Sequence, residues 1–309
     1  MRTMTTVAPA VGEIATARTR RVSLAYLAMA GVVIIWGMGP PISKLVTGPP
    51  STIASTRIWM AVPLTYLVLR VSGSRPTLAG LKASFLGGVS FGCNMFLFFT
   101  ALRHLSIATF TLLGVLQPIT VSLISVRLFG ERLSKWVLAW GGVAFLGVAA
   151  AVLMAGKGVK ATPFGLLLGV TTISCMSVYL LASRQARKTI APNEYLFGVM
   201  SWAAITLTIP LFFQGWQLHT LDHRDWFWMT VVLIFPGWLG HLLLNWAITE
   251  IPMSISSLNM LPSTVVSIAA AWPINHQHVN LKQCLAGLVT LIAVGLVVHG
   301  PFGRQPGMA

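Results

Sequence analysis

The sequence predicts an all-α polytopic membrane protein, with ten transmembrane helices arranged as two inverted five-helix repeats. Three observations predict it. Of 309 residues, 55% are hydrophobic and only 9% are charged, against roughly 25% charged in soluble domains. Ten apolar stretches of close to twenty residues follow one another, each long enough to cross a bilayer core. Landmarks also recur: Ala101, Pro118 and Gly141 stand 146, 144 and 146 residues before Ala247, Pro262 and Gly287. A nearly constant offset marks a duplication.

The elements follow in order. Residues 1–22 form a polar tail containing Arg18, Arg20 and Arg21. The apolar run behind it exceeds the about 7–15 residues of a signal-peptide core, so the first span is expected to be retained. Spans at 23–45, 51–71, 79–101, 106–129 and 135–154 make the first repeat, residues 23–154. A linker at 155–163 carries Gly156-Lys157-Gly158. Spans at 164–184, 193–213, 226–248, 253–273 and 281–300 make the second repeat, residues 164–300, and 301–309 is a short tail.

Orientation comes from Lys and Arg. With the amino terminus in the cytoplasm, fourteen of these residues flank the cytoplasmic side and six the outer side, Arg57 lying within a span. This is a positive-inside bias, and it puts both termini in the cytoplasm. Five spans per copy is an odd number, so the second copy enters the membrane upside-down relative to the first. Inverted repeats of this kind build alternating-access carriers, with the substrate site near the midplane between the copies.

Composition excludes other classes. The net charge of +15 is scattered over short connections, with no basic face or zinc-type spacing, so no nucleic-acid partner is expected. Cys93, Cys175 and Cys284 are widely spaced within apolar runs, implying neither a disulfide framework nor a metal site. No phosphate-binding loop is present, which disfavours direct ATP drive. No cofactor or metal is expected. A membrane-embedded lipid-modifying enzyme would need a convergent nucleophile, base or metal set, and the dispersed Cys and His residues do not supply one. The expected partners are a small-molecule substrate and the lipid bilayer, with monomer and homodimer both left open.

Several residues stand out as a substrate path. Trp36-Gly37-Met38-Gly39-Pro40-Pro41 interrupts the first span, and broken backbone at membrane depth belongs where protein or water satisfies it. Gly37, Gly39 and Pro40 are therefore read as a hinge, with Trp36 facing the path. Pro118 and Pro262 occupy matching positions and should each bend a helix. Gln117 and Asn259 place side-chain amides near those bends, where they suit either a ligand or a neighbouring helix. His241 lies mid-span with Asn245 one turn on, and Gly237 and Gly240 permit close approach of another helix. It either handles substrate or protons or bonds a neighbouring carbonyl as a neutral ring. Arg57 lies two turns inside the second span, where it should snorkel, find carbonyls or meet a substrate carboxylate. Asn94, Tyr179 and Trp202 are further polar-tipped span residues. Lys44 falls near the outer mouth. Glu131 sits at the cytoplasmic turn after the fourth span, where a carboxylate can cap the next helix.

Trp36-Gly37 with Lys44 eight residues after the tryptophan, Arg57, Ala101-Leu102-Arg103-His104-Leu105-Ser106, Pro118 and Gly130-Glu131-Arg132-Leu133-Ser134 together resemble the EamA family of the drug/metabolite transporter superfamily. The resemblance spans nearly all of residues 23–300. It implies a bacterial-type inner-membrane carrier, commonly an exporter of amino acids or other small metabolites. It also implies a central cavity lined by the first, third, fourth, sixth, eighth and ninth spans. Asn275-His276-Gln277-His278 departs from the pattern where a second Gly-Glu-Arg element would fall. Drugs or nucleoside-like compounds are the alternative cargo. If His241 handles protons, His241→Gln will change the pH dependence of transport; unchanged transport and pH dependence would remove that role.

Overall fold

The computed structural model describes residues 11–117, 119–121, 135–154, 161–250 and 260–299. Helices run over Val11–Ser43 (α1), Pro50–Val71 (α2), Leu78–His104 (α3), Ile107–Gly114 (α4), Lys135–Leu153 (α5), Pro163–Ala186 (α6) and Pro192–Gln214 (α7). They continue with His223–Val232 (α8), a π-helical turn at Leu233–Leu239, Gly240–Glu250 (α9), Met260–Asn275 (α10) and Leu281–His299 (α11). Among the described residues the one β feature is an isolated bridge between Leu105 and Ala161. Among the described residues six helical stretches are long and apolar enough to cross a membrane: Arg20–Ser43, Pro50–Val71, Leu78–His104, Pro163–Ala186, Pro192–Gln214 and His223–Leu244. The chain is a multi-pass membrane protein.

Local chemistry sets the helix starts. Pro50, Pro163 and Pro192 open their helices, where a missing N–H costs nothing. The Thr77, Ser106 and Thr162 side chains accept from the amides of Gly80, Thr109 and Gly165, and Asp222 with Asp225 forms a capping box before α8. Gly215, at φ 75°, ends α7 in a conformation that other residues adopt only at a cost.

Lipid is the solvent for much of the surface. Leu27, Phe145, Leu153, Phe212 and Phe213 are 61–85% exposed, which only an apolar surrounding makes favourable. Several buried hydroxyls are satisfied within their own helices: Thr65, Ser84, Thr111, Thr172, Ser177 and Thr290 donate to carbonyls one turn back.

Packing is organised around α3, which lies against both α6 and α7. The first helix packs on α9 and α10, α2 on α7, and α5 on α11. The α3–α7 seam is built from small residues one turn apart: Gly80, Ser84, Gly88 and Gly92. A Cβ at Gly88 would stand 2.9 Å from the Val199 carbonyl oxygen, and one at Gly92 would stand 3.0 Å from that of Ala203. Backbones this close are how membrane helices gain dispersion energy that lipid would otherwise supply.

The run expected to interrupt the first span does not end it. The α1 helix continues through Gly37, Gly39, Pro40 and Pro41 to Ser43. The two prolines fall in its last turn, where they remove the bonds to the Trp36 and Gly37 carbonyls but leave no following turn to be broken. The expected spans at 106–129 and 253–273 are described only in part, as α4 and α10 with flanking residues outside the described set. Gly88→Leu is expected to destabilise the protein by about 1–3 kcal/mol through overpacking. Gly142→Ala, at a site with no atom within 4 Å, should leave thermal unfolding unchanged or slightly raised.

Candidate functional site

Four aromatic side chains from four helices meet where α1 crosses the π-helical turn. His241, at the start of α9, is 4% exposed and has Trp36 of α1 at 4.9 Å between ring centroids. Phe91 of α3 meets it edge-on at 5.3 Å, and Tyr179 of α6 at 5.9 Å. Phe91 and Tyr179 are themselves 5.1 Å apart. These are the offset and edge-to-face separations that aromatic rings prefer. The Tyr179 hydroxyl lies 3.4 Å from His241 Nδ1, a long hydrogen bond.

The π-helical turn fixes this arrangement. Trp36 Nε1 donates to the Pro236 carbonyl at 3.1 Å. Gly240 is what lets the indole lie there, since a Cβ at 240 would overlap Trp36 Nε1 and stand 2.7 Å from its Cδ1. Wide turns of this kind often mark functional sites, because they redirect side chains and carbonyls out of the helical register.

Arg57 approaches the same turn from α2. It is 5% exposed, and Nη1 donates to the Met95 sulfur at 3.2 Å. Its Nε finds no acceptor among the described residues. A Cβ at Gly237 would stand 2.8 Å from Nη2, so glycine makes room for the guanidinium. Arg57 neither snorkels to the surface nor, among the described residues, reaches a carbonyl. It lines a cavity about the size of one water molecule, together with Thr65, Phe91, Leu233, Gly237 and Trp238.

Other sequence-selected residues lie outside this cluster. Asn94 Nδ2 donates to the Thr172 carbonyl at 2.8 Å and ties α3 to α6. Gln117 is half-buried beyond the end of α4, its carbonyl accepting from Thr120. Trp202 Nε1 donates to the Leu81 carbonyl on the α3–α7 seam. Gly37 packs under Val266 and the Ser263 carbonyl of α10, and Gly39 faces Pro236. Pro262 lies exposed in α10. Pro118, Asn259 and Glu131, and the side chain of Asn245, lie outside the described residues.

Lys44 belongs to a polar clamp at one end of the bundle. Its Nζ donates to the Leu105 carbonyl at 2.7 Å. Arg103 Nη2 donates to the carbonyls of Val46 and Gly48, at 3.0 and 2.6 Å. Asp225, 1% exposed, accepts from the Thr47 amide at 2.7 Å. The Asn275–His278 segment adds two bonds, Asn275 Nδ2 to the Pro41 carbonyl and the Ile107 amide to Gln277 Oε1. The loop after α1 is thereby held from both sides. Among the described residues no group of three or more His, Cys, Asp or Glu could hold a metal ion.

Phe91, Met95, Pro236 and Trp238 were not legible as site residues. Pro236-Gly237 inside an apolar run was the available signal, of the same kind as Gly39-Pro40 in the first span; Phe91 is one aromatic among many.

An all-helical, multi-pass membrane protein with a buried aromatic and cationic cluster between its halves belongs with membrane transport proteins. The family model for EamA-like transporters matches residues 23–153 and again 163–299, and the chain belongs to that family. An uncharacterised transporter of Helicobacter pylori (strain ATCC 700392 / 26695) is 22% identical over 254 residues, covering 79% of this chain and 84% of the relative. A solved crystal structure superposes with a TM-score of 0.64 at 18% identity, covering 89% of this chain and 96% of its own. That likeness shows that the fold recurs.

If the clamp closes this end of the bundle, Asp225→Ala will release the Thr47 loop. A cysteine placed at Val46, in a chain whose native cysteines are serine, should then react faster with a membrane-impermeant maleimide than in the parent.

Proposed function

We propose that the protein is a secondary carrier of a bacterial-type inner membrane. It exports small metabolites, amino acids or related amphiphilic compounds, by alternating access around the Trp36–Phe91–Tyr179–His241 cluster. The observation that carries the reading is that cluster itself, built from α1 and α3 of the first repeat and α6 and α9 of the second. Residues drawn from both repeats are what rocking of one repeat against the other would bring together and separate.

Helix packing supports the ten-helix inverted repeat. If each helix is exchanged for its counterpart five spans on, the α1–α9 pairing becomes the α6–α3 pairing, and α1–α10 becomes α6–α4. The α2–α7, α4–α10 and α5–α11 pairs map onto themselves. A pseudo-two-fold relation between 23–154 and 164–300 generates this pattern, and the two family matches fall on the same halves. The positive-inside distribution supports an orientation with both termini in the cytoplasm and the Lys44 clamp outside. The described conformation is then closed to the outside.

The aromatic cluster also favours a second cargo reading, flat drugs or nucleoside-like metabolites stacked on the rings. Both are small-molecule transport, and membership of a transporter family favours either over a lipid-modifying enzyme.

Reconstituted in proteoliposomes, the protein is expected to catalyse saturable counterflow of a labelled solute from an amino-acid and nucleoside panel. Trp36→Ala should lower that exchange at least ~10-fold, equivalent to about 1.4 kcal/mol of lost binding. No exchange by the wild type across the panel would overturn the carrier reading.

A further inference from the structure

We infer that the cavity between α2 and the π-helical turn is an anion subsite that takes the carboxylate of the transported solute, with Arg57 and Trp238 as its donors. The substrate class rests on the carrier reading; the anion site does not.

The chemistry of the walls carries this inference. Two side-chain atoms lining the cavity residues are buried hydrogen-bond donors with no acceptor among the described residues: Arg57 Nε and Trp238 Nε1. Neither side chain has any accepting atom, since guanidinium and indole N–H groups only donate. The other walls offer nothing to answer them. Ile58, Ala61, Leu196, Met200 and Leu233 are apolar, and the Thr65 hydroxyl, which donates within α2 to Ala61 and Val62, accepts from neither donor. A buried guanidinium whose one described polar contact is a thioether, 3.2 Å from Nη1, is a cation without a counter-charge. Burial of that kind is costly unless an anion completes it. Two buried donors without acceptors, one of them charged, on residues that border the same apolar cavity, can serve one end of a carboxylate.

Position makes this a subsite of the aromatic site. Phe91 lines the cavity and also meets His241 and Tyr179. A ligand with a carboxylate oxygen against Arg57 would lay its body along the ring cluster. The π-helical turn serves both parts: the Pro236 carbonyl holds Trp36, while the next residues, Gly237 and Trp238, face Arg57. A cavity that admits about one water admits one carboxylate oxygen and is too small for a phosphate.

The test uses purified full-length protein with benzoate, the isosteric neutral benzamide, and sodium chloride as probes in thermal unfolding. Benzoate should stabilise the wild type, and benzamide and chloride should not. Arg57→Gln should weaken the benzoate response at least ~10-fold, Arg57→Lys should retain part of it, and Trp238→Phe should weaken it with Arg57 intact. The inference is overturned if benzamide matches benzoate, if Arg57→Gln and Trp238→Phe both respond as the wild type does, or if chloride alone reproduces the effect, which would mean an inorganic anion site. Loss of co-purifying phospholipid from Arg57→Gln, without a benzoate response in the wild type, would assign the donors to a lipid headgroup and also overturn it. Counterflow separates the two readings. Exchange of uncharged solutes, undiminished in Arg57→Gln, overturns the carboxylate subsite and leaves the carrier. A benzoate response that needs Arg57, with no counterflow of any solute, upholds the anion site and overturns the carrier.

Discussion

The hydrogen bond from Trp36 to the Pro236 carbonyl is the contact on which the arrangement of the site depends. It joins α1, in the first family-matched half of the chain, to the π-helical turn ahead of α9 in the second. It exists because a π-helical turn leaves a carbonyl available at Pro236, and because Gly240, one turn on, has no side chain to exclude the indole. In lipid there is no water to satisfy a backbone group freed by an irregular turn, so a protein donor must be supplied. Trp36 supplies it, and its ring is thereby set against His241. The geometry of the remaining rings follows: Phe91 and Tyr179 close the other sides of the imidazole from α3 and α6.

A second constraint is the separation of polar from apolar work along the bundle. The α3–α7 seam uses small residues and self-satisfied hydroxyls along its length, with the Glu194 carboxylate bonding Thr77 where it begins. At one end Lys44, Arg103 and Asp225 bind backbone and hydroxyl groups of neighbouring segments. Each of those bonds crosses between elements that an opening motion would part. Arg57 breaks this separation, being the charge buried among the apolar residues of α2, α3 and α7, and it is there that a ligand has something to add.

Much of this was legible from residue order. Apolar runs of bilayer length gave the long helices, and proline or Ser/Thr at their starts fixed where they begin. Trp36, Tyr179 and His241 each stood out as a polar-tipped residue in an apolar span, and the fold brings all three together. Asn94 had the same signature but bonds the Thr172 carbonyl, because an amide between helices serves adhesion as readily as recognition. The Gly37–Pro41 run looked like a break, but its prolines fall in the final turn of α1, where the helix has no further turn to lose. Pro236 was passed over, although a proline mid-span is what forces the wide turn that organises the site. Phe91 and Met95 could not be picked out, since nothing in an apolar residue says which of several apolar neighbours it will meet.

A structure determined with a transported solute bound tests the central claim most directly. The solute should lie between Trp36, Phe91, Tyr179 and His241, with the Trp36–Pro236 contact forming one wall. A solute bound away from all four rings, with the cluster packed as it is here, would contradict it.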